Sequence, residues 1–162
     1  MEIIIVAALD ENNGIGKNGD QPAYISSDLK RFKQLTTGHS IVMGRKTFDA
    51  LPKKPLPQRR NIVLTRNKKL NFPNCNVATS PQEIAKIVDK KEKIFIIGGG
   101  EIYKHFLPFA SQLIITRIHH KFTGIDTWFP KIDTSKWIMK EDGPFKDEKN
   151  GLHYSYQTFN RV

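Results

Sequence analysis

The stretch PAYISSDLKRFKQL, residues 22–35, places an acid where packing is expected, because at helical spacing Asp28 shares a face with Phe32 and Leu35, with Leu29 beside it. A buried carboxylate is costly unless a cation or a set of hydrogen-bond donors meets it. Asp28 therefore has two readings. It is a first-turn charge favoured by the helix dipole by about 0.3–1 kcal/mol, with Ser26 or Ser27 as the cap, or it faces a ligand that brings the donors. A second chemistry is written at three strand exits. IVMGRKTF runs from a strand through Gly44, Arg45 and Lys46 to Thr47 at a helix start, NIVLTRN leaves a strand at Thr65 and Arg66, and IFIIGGGEIY passes through Gly98, Gly99 and Gly100 into a helix. Helix N-termini with unpaired N–H groups and nearby cations suit phosphates. The GGG run alone is an ordinary tight turn, neither GxGxxG nor a Walker loop, and Glu101 next to it opposes an anion. Three exits carrying Arg45, Lys46 and Arg66 together could hold a diphosphate and a further phosphate.

Such exits need a sheet to align them. IIIVAAL, SIVMG, NIVLT, IFIIG and QLIITRI read as strands, and SSDLKRFKQL, RKTFDAL, PQEIAKIV and GEIYKHFL between them read as helices. Near-continuous apolar strands point to a sheet covered on both faces, mainly parallel, hence an α/β domain. After residue 120, KWIMKED and LHYSYQTF read as two strands joined through the turn-prone EKNG, giving an antiparallel edge. Ligands of open α/β sheets sit outside the carboxyl ends of the strands.

The length of 162 residues suits one domain, 1–162, without repeats or linkers. Lys and Arg number 26 against 16 Asp and Glu, and the net charge of +10 favours anionic ligands. The cations are scattered as PKKP, QRR, TRNKK and DKKEK, without an RNA-binding sheet or recognition-helix signature, so a nucleic-acid module explains the charge but not the strand exits. The single Cys75 has no ligand-spaced partner, and His119 and His120, adjacent on a strand, should face opposite ways, so no metal is expected. With no apolar run of membrane-spanning length and no secretory start, a soluble cytoplasmic protein is expected.

The whole chain resembles a bacterial-type dihydrofolate reductase. VAALDENNGIGKNGDQP resembles that family's first strand and mobile loop, SSDLKRFK its substrate helix, IVMGRKTF and PLPQRRNIVLT its cofactor and folate-tail segments, and IIGGGEIY its Gly-Gly turn; DTWFP and HYSYQTF extend the match to the C-terminus. The resemblance implies a mainly parallel sheet of about eight strands with about four helices, and transfer of a hydride from NADPH to C6 of 7,8-dihydrofolate with a proton reaching N5. It implies a monomer, antifolates as inhibitors, and no need for nucleic acid or membrane.

By the same resemblance, Asp28 is the one ionisable group of the pocket, accepting from the pterin 2-amino group and N3 and favouring protonation at N5, and Thr116 bonds to it. Val6, Ala8, Leu29, Phe32 and Leu56 form apolar walls, and Arg59 pairs with the folate α-carboxylate. Ala8, Ile15 and Gly16 meet the cofactor from the first strand and mobile loop, and Gly44, Arg45, Lys46, Thr47, Thr65 and Arg66 meet its phosphates, with Arg45 and Arg66 at the 2′-phosphate. Gly98, Gly99, Gly100, Glu101, Ile102 and Tyr103 complete the cofactor segment, with a cis bond between Gly98 and Gly99. Two departures stand out. Ala23 occupies the position where the family commonly has Trp, and TGIDTWFP carries one residue more than the usual Gly-Asp spacing. Both bear on loop closure and pocket solvent. A related reductase acting on a pyrimidine intermediate of riboflavin synthesis would share the NADPH residues but has less use for Asp28 together with Arg59.

Overall fold

The computed structural model of the protein describes residues 1–67 and 69–162. In chain order the elements are β1 (Glu2–Leu9), β2 (Gly14–Gly16), α1 (Ser26–Thr36), β3 (Ser40–Gly44), α2 (Arg45–Ala50), β4 (Arg60–Leu64) and β5 (Asn76–Ala78). They continue with α3 (Pro81–Ile87), β6 (Lys93–Gly98), α4 (Gly100–Phe106), a 3₁₀ turn at Leu107–Phe109, β7 (Gln112–Ile118), β8 (Thr127–Trp128), β9 (Trp137–Lys146) and β10 (His153–Arg161). Eight strands form one sheet in the order β5-β4-β3-β6-β1-β7-β10-β9, and β2 pairs with β8 in a separate two-stranded sheet.

The apolar strands behave as their composition demands. Along β1, Ile3, Ile5, Ala7 and Leu9 enter one core layer while Ile4 enters the other, with Val6 against it. Ile41, Val42, Met43, Ile62, Val63, Ile94 and Ile96 of β3, β4 and β6 are fully buried, which requires cover on both faces. On the first face α3 contributes Ile84 and α4 contributes Tyr103 and Phe106; on the second α2 contributes Phe48 and α1 contributes Leu35. Within the sheet only β10 is reversed, antiparallel to both β7 and β9. The expected antiparallel edge is thus a reversed penultimate strand with an outer strand beyond it. That outer strand, β9, is exposed from Ile138 to Lys146, and its charges and the register shift between Tyr154 and Tyr156 guard the open edge.

One expectation at α1 is corrected. Neither Ser26 nor Ser27 caps the helix: the N-cap is Ile25, with no side-chain cap bond, because the helix already begins at Ser26 and Ile25 is drawn into a small core with Ile118 and Tyr154. Hydrophobic anchoring has replaced a polar cap. Leu29 is also 47% exposed, since it lies about 100° round the helix from Asp28. It sits outside the packed stripe, where Phe32 and Leu35 are half-buried.

Because β1, β3, β4, β6 and β7 are mutually parallel, their carboxyl ends emerge along one edge. From β1 the chain crosses by α1 over β6 to β3, and from β6 it crosses by α4 over β1 to β7, so the two crossovers pass the β6/β1 boundary in opposite directions on opposite faces. A crevice opens at such a boundary.

Candidate active site

The acid end of the crevice is assembled from three elements. Ala8 on β1 stands opposite Thr116 on β7, and Thr116 stands opposite Tyr156 on β10. Over this row α1 lowers Asp28, and the buried Thr116 hydroxyl donates to Asp28 Oδ1. Among the described residues Oδ2 accepts no hydrogen bond, which leaves it as the acceptor for an incoming donor. Burial pushes the Asp28 carboxyl above its ordinary range, and the Thr116 hydrogen bond and then the Arg31 charge pull it partly back. Burial dominates because the acid lies under a helix rather than at its solvent face.

The loop before β4 is held by a residue absent from the candidates read in the sequence. Asn61, almost wholly buried at the start of β4, accepts from the Leu56 N–H at 2.9 Å through Oδ1 and donates through Nδ2 to the Leu56 and Arg59 carbonyls, both at 2.9 Å. This clamp fixes the loop carrying Leu56 and Arg59. Arg59 donates from Nε to the Pro57 carbonyl at 2.9 Å and from Nη1 to Thr36 Oγ1 at 3.1 Å, with its guanidinium 5.9 Å from the Phe32 ring centroid. Its neighbour Arg60 is exposed and turns away to Glu92 and the Ile87 carbonyl.

At the next part of the crevice β3 meets β6. Met43 is in register with Gly98, so Gly44 and the glycine turn meet. The Gly98–Gly99 peptide is cis, and Gly98 has φ of 129°, a region closed to residues with a Cβ. A Cβ on Gly98 would lie 3.3 Å from the Tyr103 hydroxyl and 3.4 Å from Thr47 Oγ1, and one on Gly44 would lie 3.2 Å from Ile102. The turn is therefore a tight backbone cradle with Thr47 beside it. Tyr103 is turned inward, its hydroxyl donating to the Val6 carbonyl at 2.8 Å, and its phenol is raised by burial, so it braces β1 against α4. Glu101 is exposed. Arg45, Lys46 and Arg66 are all exposed, and Arg45 Nε reaches Asp49 Oδ2 at 3.5 Å across one helical turn; Thr65 lies just beyond β4, whose Leu64 is in register with Gly44.

The loop after β1 closes over the middle. Gly14 and Gly16 of β2 pair with Trp128 and Thr127 of β8, the Asn18 N–H donates to Asp126 Oδ2 at 3.0 Å, and a Cβ on Gly100 would come within 2.9 Å of Thr127 and 3.8 Å of Ile15. Ile15 and Gly16 are thus brought to the glycine turn. The extra residue of the 124–126 segment, Ile125, lies against Gly14, where a Cβ would be 3.0 Å from it. At the loop root, Asp10 accepts from the Gly14 N–H at 2.7 Å, and Arg117 Nη1 donates to the Asp10 carbonyl at 2.8 Å and Asn13 Oδ1 at 2.7 Å. Asp10, Arg117 and Asp126 were not among the sequence candidates; the signal available was an acid leaving β1 into an Asn-Gly turn. Ala23 is half-buried, while Tyr24 faces outward, its hydroxyl donating to Asp20 and its carbonyl accepting from Asn150. Tyr24 does not fill the space beside Ala23.

The fold and crevice define the class: a single-domain α/β protein with an inward-facing acid bonded by a threonine at one part of a sheet-edge crevice and a tight glycine turn with exposed cations beside it at another. The family model described as dihydrofolate reductase matches residues 2–161. The chain is 40% identical to the dihydrofolate reductase of Staphylococcus haemolyticus, covering 100% of this chain and 97% of that protein. It is 41% identical to the dihydrofolate reductase of Bacillus subtilis, covering 98% and 94%. A solved structure of dihydrofolate reductase from Enterococcus faecalis, complexed with NADP(H) and RAB-propyl, superposes with a TM-score of 0.89 at 38% identity, over 99% of this chain and 96% of that one. The chain belongs to the dihydrofolate reductase family.

Proposed function

We propose that this chain, acting as one unit over residues 1–162, reduces 7,8-dihydrofolate to 5,6,7,8-tetrahydrofolate with NADPH. The observation that carries the reading is the half-buried, inward-facing Asp28 carboxyl, bonded by Thr116 on one oxygen and open on the other, over the Ala8–Thr116 row at the carboxyl edge of the sheet. NADPH, when bound, supplies the hydride that C6 receives. The protein supplies the rest. Asp28 accepts from the pterin N3–H and 2-amino group and, by drawing charge to that edge, favours a proton on N5. Val6, Ala8, Leu29, Phe32 and Leu56 wall the ring and benzoyl group, and Arg59 pairs with the α-carboxylate.

The glycine cradle fits the cofactor, since a side chain at Gly98 or Gly100 would crowd Tyr103, Thr47 or Thr127, so that only backbone faces the ligand there. Gly44, Lys46, Thr47 and Thr65 hold phosphate oxygens, and Arg45 and Arg66 hold the 2′-phosphate. Ile15 and Gly16 from the loop, with Ala8, Glu101, Ile102 and Tyr103, shape the nicotinamide side and exclude water. On this reading diaminopyrimidine antifolates compete at Asp28, the protein works as a cytoplasmic monomer, and the +10 charge serves an anionic substrate and cofactor rather than a nucleic acid. The test is consumption of the reduced-nicotinamide absorbance band in folded protein given NADPH and dihydrofolate. Dihydrofolate-dependent oxidation, lost in Asp28→Asn, is expected; no oxidation by the folded wild type refutes the reading.

A further inference from the structure

Arg31 follows Asp28 by three positions, which puts both on neighbouring flanks of α1. Its guanidinium carbon lies 3.9 Å from the centroid of the Tyr156 ring, a cation seated on an aromatic face. Tyr156 is the β10 residue in register with Thr116, and Thr116 is the donor to Asp28. Cation, ring, hydroxyl and acid therefore follow one another across α1, β10 and β7. The ring is itself held, with Phe145 and Tyr154 ring centroids each 5.6 Å away.

We infer that Arg31 is a positioning residue for the reduction: seated on Tyr156, it holds a positive charge one helical turn along α1 from Asp28, on the flank where that acid is to accept both donors of a pterin edge. This rests on the function proposed above. A neutral acid offers one good acceptor and one donor, so it mismatches a ligand edge that presents two donors. Burial favours that neutral form, and the Thr116 hydroxyl and the Arg31 charge oppose burial.

The other groups around the pair do not replace this charge. Tyr103, Tyr154 and Tyr156 are phenols, and burial holds Tyr103 and Tyr156 above the ordinary phenol range. Lys30 is exposed on α1, and Arg117 extends to Asp10, Asn13 and Gln157. Outside Arg31 lies a groove of about 570 Å³ shared with Gln34, Lys140, Glu141, Asp142 and Thr158. Glu141, which accepts from Gln157, and Asp142, in register with Tyr156, are the acids lining that groove beside Arg31. The aromatic seat holds the guanidinium on the Tyr156 face, one helical turn along α1 from Asp28.

The test is a carbon NMR titration of side-chain carboxyls in the ligand-free protein, with the Asp28 signal assigned by its loss in Asp28→Asn. Arg31→Gln should raise the Asp28 midpoint by about half a pH unit or more. Arg31→Lys should restore most of that shift, and Tyr156→Leu, which keeps the charge but removes the seat, should raise the midpoint by a smaller amount. Lys30→Gln, which lowers net charge equally, should move it by less than a third as much. The midpoint of the pH–rate profile should shift upward in Arg31→Gln alongside the NMR value, with a raised KM for dihydrofolate at neutral pH. An unmoved Asp28 midpoint in Arg31→Gln, a shift no larger than that of Lys30→Gln, or a titration shift without a matching rate shift overturns the inference. Because the titration needs no turnover, an inactive wild type would count against the proposed function and leave the electrostatic result readable.

Discussion

On the role proposed for Arg59, replacing it by Lys should separate recognition of the folate tail from recognition of the ring. Two of the guanidinium donors are committed to the protein, Nε to the Pro57 carbonyl and one Nη1 hydrogen to Thr36 Oγ1. The remaining Nη1 and Nη2 hydrogens form one planar edge, which matches the two oxygens of a carboxylate. Lysine keeps the charge but offers a single nitrogen without the two tethers, so one charge-assisted hydrogen bond of about 1.5–3 kcal/mol is lost. That corresponds to a rise of about 10- to 100-fold in KM for dihydrofolate. The low end is favoured because Arg59 is only half-buried and water can compensate. With kcat nearly unchanged, the loss is one of uniform binding. Steady-state kinetics with dihydrofolate and with a dihydropterin lacking the glutamate give the comparison. A small change for the truncated substrate is expected, and equal losses for both would show that Arg59 acts on the loop or the ring pocket instead.

Three further outcomes are expected. Asp28→Asn should lose most turnover at neutral pH yet melt higher there: the folded acid titrates above its ordinary value near 3.8, so its ionisation costs stability as pH rises through that window, and the gain should vanish below about pH 4; an unchanged or lower melting temperature at pH 7 would contradict a burial penalty. Replacing both Arg45 and Arg66 by Ala should weaken NADPH by about tenfold while sparing NADH, the effect limited by their exposure and reduced by salt, and a ligand titration showing equal loss of both cofactors would count against a 2′-phosphate role. Ala23→Trp should tighten dihydrofolate or a diaminopyrimidine by about fivefold, the value of one hydrogen bond near 1 kcal/mol, since Tyr24 is already engaged with Asp20; weaker binding measured by calorimetry would mean the loop has packed around alanine.

The sequence alone was sufficient for the parts of this protein that depend on local pattern. Runs such as IFII must be buried on both faces, a helix period placed Asp28 above Phe32 and Leu35, and glycine and cations at strand exits followed from where parallel strands deliver their carboxyl ends. Tertiary structure decided which distant groups meet, and for Thr116 with Asp28 the family resemblance implied a bond that no local pattern specifies. Thr116 is 88 residues from Asp28, and their bond exists only because β7 lies beside β1 beneath α1. Asn61 was invisible as a clamp because its three bonds are to a loop whose path no periodicity specifies. The helix start shows the limit most plainly: Ser26 and Ser27 have the right chemistry for a cap, yet burial of Ile25 against Ile118 and Tyr154 set the boundary, since long-range packing outweighs a local hydrogen bond of about 1 kcal/mol. Likewise the seat of Arg31 on Tyr156 required a reversed strand from the far end of the chain to arrive beside Thr116.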